Sequence, residues 1–193
     1  MINQPVIPAF KILLLIAAAT LPYACTDSAD GEGVQSVRQT GDKGGKSQPI
    51  ADISIGSLAP DFSTRTMESK PFKLSNYRGK FVLIDFWGTW CRPCLGEIPY
   101  LKAANRDFGR DDLQIVSIAM DDPANLKPFI AKNEMNWIHI QQDFGGPLLS
   151  LYKVTAFPTT ILVDPEGTIV AMGIDLRHQN LARTLRKFIS KNS

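Results

Sequence analysis

Cysteine and histidine are scarce in this sequence, which limits the metal chemistry that it can support. The 193 residues include three cysteines and two histidines. A structural zinc site needs four ligands, and the pair Cys91 and Cys94 supplies only two. His139 and His178 are isolated along the chain, and we interpret both as surface or core residues. We therefore expect no metal and no cofactor.

An excess of basic residues is also lacking. The 21 Lys and Arg nearly balance the 19 Asp and Glu, and the basic residues are scattered along the chain. A nucleic-acid-binding domain concentrates its basic residues in a patch or stripe. The net charge of +2 therefore predicts an ordinary mixed-charge surface and no nucleic-acid partner.

The N-terminal segment lacks an apolar run long enough to cross a bilayer. Lys11 precedes an apolar run over residues 12–19, far short of the roughly 20 residues that a transmembrane helix needs. The run fits the apolar region of a secretory signal peptide. Cys25 directly follows a small residue and resembles the lipidated cysteine of bacterial lipoproteins. We predict a lipoprotein-type signal peptide over residues 1–24 and a lipid anchor on Cys25, with ordinary cleavage or an uncleaved anchor as the alternatives.

The segment after the signal peptide has no apolar periodicity. Residues 25–50 are rich in Gly, Ser, Asp, Gln and Lys, a composition typical of a flexible tether. A tether of this length spans roughly 25–30 Å and would let an anchored domain search a membrane surface. Residues 51–193 are then expected to form a single domain.

The apolar pattern of residues 51–193 predicts an α/β domain. A short hairpin is expected around residues 59–74, and strands are expected over 81–87, 113–120, 137–140, 159–163 and 168–173. Helices are expected over 91–108, with a kink at Pro99, and over 124–133, 147–152 and 181–189. Strands and helices alternate early, and an antiparallel hairpin follows late.

Two cysteines three residues apart follow the predicted strand at residues 81–87. Cys91 is expected at the start of a helix, where unpaired amides and the helix dipole lower the pKa of a thiol. Arg92 adds a positive charge, and Pro93 is tolerated in a first helical turn. Cys94 lies one turn further into the helix. The pattern favours thiol–disulfide exchange, with Cys91 as the nucleophile and Cys94 as the resolving thiol.

Two other interpretations of the cysteine pair are weaker. A purely structural disulfide across such a short loop gains little loop entropy. A peroxidatic cysteine follows a Thr or Ser three residues upstream in a Pro-x-x-x-Thr-x-x-Cys pattern. Here Thr89 lies two residues before Cys91, and no proline precedes it at the required place.

The residues around the pair resemble the thioredoxin superfamily, and most closely its TlpA/ResA-like group. Residues 85–94 resemble the active-site segment, and residues 154–159 resemble the loop that carries the family's cis-proline, here Pro158. Residues 59–62 resemble the group's N-terminal β-hairpin, and residues 123–152 its central insertion. The resemblance implies a thioredoxin-like fold with a central mixed sheet flanked by helices.

The resemblance also assigns roles to further residues. Asp85 and Glu97 match the positions of acids that would take a proton from Cys94 when it attacks a mixed disulfide. For Glu97 the alternative is a solvated helix residue. Trp90, Phe157 and Pro158 are expected to contact the substrate.

The function expected from these patterns is reduction of disulfides in specific extracytoplasmic proteins, with apocytochrome c as one client. A membrane thiol–disulfide carrier would supply the electrons, and a lipid anchor would provide membrane contact. Two alternatives remain open at this point: a general periplasmic oxidase or isomerase, and a thioredoxin-like binding module without turnover.

Overall fold

The computed structural model describes residues 52–190. The predicted signal peptide, tether and Cys25 lie outside these residues. Between residues 52 and 190, no helix is both long and apolar enough to cross a membrane.

A five-stranded mixed sheet forms the centre of the domain, as predicted. Its order is β5-β4-β3-β6-β7; β4 runs parallel to β3 and β5, whereas β6 is antiparallel to both of its neighbours. The strands are β3 (Phe81–Trp87), β4 (Leu113–Met120), β5 (Ile138–Gln142), β6 (Thr159–Val163) and β7 (Ile169–Met172). β3 is central and buried along its whole length, because its run of large apolar residues packs on both faces.

The N-terminal hairpin is a separate two-stranded sheet. It pairs β1 (Ser63–Arg65) with β2 (Pro71–Lys73) in antiparallel register. The first strand begins just after the segment at residues 59–62 that was expected to form it. Phe62 is buried instead, with its ring 5.4 Å from that of Phe72, so this segment fastens the hairpin to the core.

The described residues contain six α-helices and two short 3-10 helices, Leu74–Tyr77 and Gly173–Leu176. The α-helices are α1 (Arg92–Leu95), α2 (Ile98–Asp107), α3 (Gly109–Asp112), α4 (Pro123–Lys132), α5 (Pro147–Leu151) and α6 (Gln179–Ile189). The predicted insertion at residues 123–152 comprises α4, β5 and α5, and it adds β5 as an edge strand parallel to β4.

The helix after the cysteine pair is interrupted earlier than predicted. The turn at Gly96 and Glu97 separates α1 from α2, and Pro99 lies in the first turn of α2 instead of kinking a continuous helix. Proline has no N–H to donate to the carbonyl four residues earlier, which here belongs to Leu95. The interruption therefore falls within the turn that precedes Pro99.

The sheet separates the core into two sides. Val82, Ile84 and Phe86 of β3 pack in the cluster that contains the hairpin residues. Leu83 packs with α2 and α6, and Trp87 packs with Cys91, Cys94 and Ile98. Asp85 alternates with Leu83 and Trp87 along the strand, so its side chain lies on the face that α1 and α2 cover.

Candidate active site

The strand β3 delivers the cysteine pair to the end of the sheet. Cys91 and Cys94 form a disulfide whose Cα atoms are 5.2 Å apart. Both residues are buried, with exposed fractions of 5% for Cys91 and 2% for Cys94. The attacking role of Cys91 and the resolving role of Cys94 stay predictions.

The backbone around Cys91 supplies a hydrogen bond to its sulfur. Cys91 is the N-cap of α1, and its Sγ accepts from the N–H of Cys94 at 3.3 Å. A hydrogen bond donated to a thiolate stabilises the charged form and lowers the pKa of the thiol. Pro93 lies within the first turn, where its lack of an N–H leaves no helical hydrogen bond unmade.

The loop before β6 contains the predicted cis-proline. The Phe157–Pro158 peptide bond is cis. Phe157 is partly buried and packs against the cluster that contains Cys91 and Cys94. The structure thus brings together the active-site segment and a loop more than 60 residues later in the sequence, as the resemblance implied.

Trp90 is held beside the cysteine pair with half of its surface exposed. Its Nε1 donates to the carbonyl of Met120 at 2.8 Å, and its ring lies 5.4 Å from that of Phe157 in an edge-on arrangement. Gly88 permits this position, since a Cβ there would lie 2.5 Å from the indole nitrogen. Trp87, in contrast, is buried against Phe129 and serves as packing.

Asp85 is buried in the middle of the sheet with only neutral hydrogen-bond donors beside it. Ser117 on β4 and Thr160 on β6 lie directly opposite and donate long hydrogen bonds of 3.5 and 3.4 Å. The pKa of Asp85 is raised to about 7, and burial is the main cause. The charge of Glu97 also raises the pKa, whereas the hydrogen bonds from Thr160 and Ser117 and the charge of Arg177 lower it. Asp85 can therefore gain or lose a proton near neutral pH.

Glu97 is also buried, so its interpretation as a solvated helix residue is wrong. It is 4% exposed and lies in the turn between α1 and α2. Arg177 Nε donates to Oε1 at 2.5 Å, and the backbone N–H of His178 donates to Oε2 at 2.8 Å. The ring Nε2 of His178 lies 3.4 Å from Oε1. These donors orient the carboxylate and stabilise its charge.

Sequence reasoning missed Arg177 as a member of this site. Arg177 precedes α6 and contacts an acid 80 residues earlier, so local patterns do not connect the two. The available signal was indirect: a buried, charged carboxylate needs a cation or hydrogen-bond donors, and the dipeptide Arg177-His178 stands directly before an amphipathic helix. His139 is buried, and its Nε2 donates a hydrogen bond to the Met135 carbonyl, as expected for a core histidine.

Replacing Arg177 should show how much the buried pair contributes to stability. Arg177→Met leaves the charge of Glu97 without its partner, and breaking a buried pair costs about 3–5 kcal/mol. Because the Arg177 side chain is 21% exposed, we expect urea denaturation to show a loss of about 2–4 kcal/mol in the free energy of unfolding. The control is Lys102→Met, which breaks an exposed pair with Glu134 and should cost less than about 1 kcal/mol. Equal losses of stability in the two variants would contradict the conclusion that the buried Arg177–Glu97 pair stabilises the fold.

The fold and the cysteine pair together define a thioredoxin-like thiol–disulfide oxidoreductase. The chain belongs to the AhpC/TSA family, whose family model matches residues 55–172.

Known relatives agree with this class. The thiol-disulfide oxidoreductase ResA of Bacillus subtilis strain 168 is 34% identical over 119 residues, which are 61% of this chain and 66% of the relative. The crystal structure of the thioredoxin domain of a thiol-disulfide oxidoreductase from Bacteroides vulgatus is 31% identical, with a TM-score of 0.65, and the match covers 72% of this chain and 99% of that one. An exposed lipoprotein thioredoxin from Streptococcus pneumoniae is 26% identical, with a TM-score of 0.57, covering 67% and 100%.

Proposed function

We propose that this protein is an exported, membrane-tethered reductant of disulfides in specific extracytoplasmic proteins, with apocytochrome c as the candidate client. The observation that carries the proposal is the buried disulfide between Cys91 and Cys94, which is adjacent to Trp90 and to the loop of the cis-proline Pro158. A structural disulfide would need none of these surroundings.

The proposed reaction transfers two electrons from the reduced pair to the client. The Cys91 thiolate attacks one sulfur of the client disulfide, which breaks the client S–S bond and forms a mixed disulfide. Cys94 then attacks the Sγ of Cys91 and releases the second client thiol. The enzyme pair is left oxidised, and the client leaves with two thiols.

The second step requires Cys94 to lose its proton in a buried place. Asp85 lies on the sheet face beneath the helix that carries Cys94, and its raised pKa allows it to accept a proton near neutral pH. Arg177 and the backbone of His178 hold Glu97 nearby, where its charge raises the pKa of Asp85. We propose that Asp85 takes the proton and that Glu97 adjusts the protonation of Asp85.

Phe157 and Pro158 are proposed to hold the client in this reaction. The loop precedes β6, and Phe157 packs against both Trp90 and the cluster around the cysteines. An extended client segment lying along this loop would bring its disulfide to Cys91.

Export and tethering are supported by the N-terminal sequence. Residues 1–24 have the pattern of a signal peptide, Cys25 has the context of a lipidated cysteine, and residues 26–50 have the composition of a tether. The structurally similar pneumococcal protein is described as an exposed lipoprotein. Mass spectrometry of the mature N-terminus tests the proposal: we expect a diacylated Cys25, and an unmodified terminus elsewhere in the chain would refute the anchor.

The clients can be identified by trapping them on the protein. Cys94→Ala expressed in the native host should accumulate mixed disulfides on Cys91, because the resolving thiol is missing. We expect apocytochromes among the trapped proteins. A membrane carrier would donate electrons by attacking the oxidised Cys91–Cys94 disulfide of the wild type, so it should be trapped on Cys91 when the carrier's own resolving cysteine is replaced. A broad range of exported proteins would instead favour a general oxidase or isomerase. The absence of any adduct would favour a binding module.

A further inference from the structure

An exposed aromatic cleft lies next to the cysteine pair. The rings of Trp90 and Phe144 are 5.3 Å apart, and 51% and 66% of these residues are exposed. Phe144 lies between β5 and α5, where Gly145 has a φ of +85° that a side chain would strain. Two large aromatic side chains held this openly are unusual unless something covers them.

The cleft is continuous with the proposed client-binding loop. Trp90 directly precedes Cys91, and its ring contacts the rings of both Phe144 and Phe157. A chain that passes over Cys91 along the Pro158 loop would therefore meet the cleft next. The client residues next to its reactive cysteine would therefore lie close enough to contact the cleft.

The rim of the cleft is acidic. Its lining is Trp90, Met120, Asp121, Asp122, Pro123, Asp143 and Phe144, and it encloses about 260 Å³. Three of these seven residues are aspartates, and none is basic.

The three rim aspartates have only neutral partners among residues 52–190. Asp121 accepts from the N–H and hydroxyl of Thr89, Asp122 from the N–H of Ala124, and Asp143 from the Gln141 amide. None forms an ion pair within the described part of the chain. Among the described residues, the three rim aspartates thus present negative charge without a salt-bridge partner.

We propose that the cleft selects clients by the residues beside their reactive cysteine, and that it binds a segment with an aromatic residue next to a lysine or arginine. The client ring would stack on Trp90 and Phe144, and its cation would approach the aspartates. The inference rests on the proposed function, since it concerns the same exchange reaction. An anionic lipid surface is a poor alternative occupant, because the rim would repel it.

The experiment uses four peptides with one internal disulfide each. They differ only in the two residues next to the first cysteine, which are Phe-Lys, Phe-Glu, Ser-Lys or Ser-Glu. The reduced enzyme is mixed with each peptide, and the second-order rate constant for a single round of peptide reduction is measured by alkylation and mass spectrometry. Hydroxyethyl disulfide, a small neutral substrate, reports the chemistry without the cleft.

The proposal predicts a defined pattern of rates. Phe should be preferred over Ser by about 3- to 10-fold, and this preference should fall in Phe144→Ala. Lys should be preferred over Glu by a similar factor at low salt, and this preference should disappear in Asp122→Asn/Asp143→Asn and at ~0.5 M NaCl. All variants should reduce hydroxyethyl disulfide at the wild-type rate.

Matched controls separate the cleft from general surface effects. Ile174→Ala removes a residue that is 72% exposed elsewhere on the surface. Asp111→Asn/Asp112→Asn removes the same charge from α3. Both should keep the wild-type preferences.

The possible failures can be told apart. Equal rates for the four peptides, or a preference that the control variants remove equally, would overturn the cleft while leaving disulfide exchange intact. If neither the peptides nor hydroxyethyl disulfide is reduced, the proposed function fails and the cleft proposal fails with it.

Discussion

Replacing Cys91 by Ser should reduce the rate of insulin disulfide reduction by at least about 1,000-fold, to the uncatalysed background. The serine hydroxyl cannot form the mixed disulfide on which the reaction depends. Cys94→Ser should behave differently, since Cys91 remains able to attack. We expect that variant to form one adduct rapidly and then to turn over only as fast as added thiol releases it.

The third cysteine provides the matched control for this prediction. Cys25→Ser, produced without its signal peptide, removes a thiol and keeps the pair at Cys91 and Cys94. It should retain the wild-type rate. A Cys91→Ser enzyme that still reduces insulin would show that another group carries the exchange.

Asp85→Asn should increase stability at high pH, and the difference from the wild type should depend on pH. The folded-state pKa of Asp85 is raised from 3.8 to about 7, so the folded protein holds a proton that the unfolded chain has lost. The wild type therefore loses stability as the pH rises from about 4 to about 7, and the penalty stays constant above that. The asparagine side chain does not ionise, so the variant lacks this pH-dependent loss of stability.

The measurement is the free energy of unfolding of both proteins across this pH range. We expect the two to be similar near pH 4 and the variant to be more stable by a few kcal/mol above about pH 7. The same variant should slow the resolution step, because Asp85 can no longer accept a proton. If neither Asp85→Asn nor Glu97→Gln alters the pH profile of disulfide reduction, the proton relay is wrong.

Asp61 offers a control of opposite sign for the stability measurement. Burial is the largest single effect on the pKa of Asp61 and raises it, but the hydrogen bonds from Ser75 and the charge and hydrogen bond of Lys73 together outweigh it, so the pKa is lowered. A lowered pKa contributes stability above the unfolded value that is lost as the pH falls. Asp61→Asn should therefore be less stable than the wild type at neutral pH, by a small amount because Asp61 is largely exposed.

Local patterns in the sequence were sufficient for most of the fold and for the cysteine pair. The continuous apolar run before Cys91 could only be a buried central strand, and Asp85 within it was conspicuous because a buried acid is costly. The cis bond at Pro158 followed from the family resemblance, since few other places tolerate a cis peptide.

The parts that sequence reasoning missed depend on contacts between distant segments. Arg177 contacts Glu97, which lies 80 positions earlier in the sequence, and the local hydrophobic pattern does not predict that contact. His178 adopts a φ of +50° beside it, a conformation that residue type alone does not predict. Phe144 is similar: its sequence context indicates a loop, and only the folded structure places its ring against Trp90.

The central claim is that the Cys91–Cys94 disulfide is redox-active within the folded protein. The most direct test is to equilibrate the protein with thiol–disulfide buffers of known potential and to count free thiols by alkylation and mass spectrometry, with circular dichroism recorded alongside. We predict a reversible two-electron transition, with a tenfold change in the ratio of reduced to oxidised protein for every ~30 mV and a midpoint between about −120 and −270 mV. The fold should be kept throughout. A pair that stays oxidised until the protein unfolds would contradict the account and identify a structural disulfide.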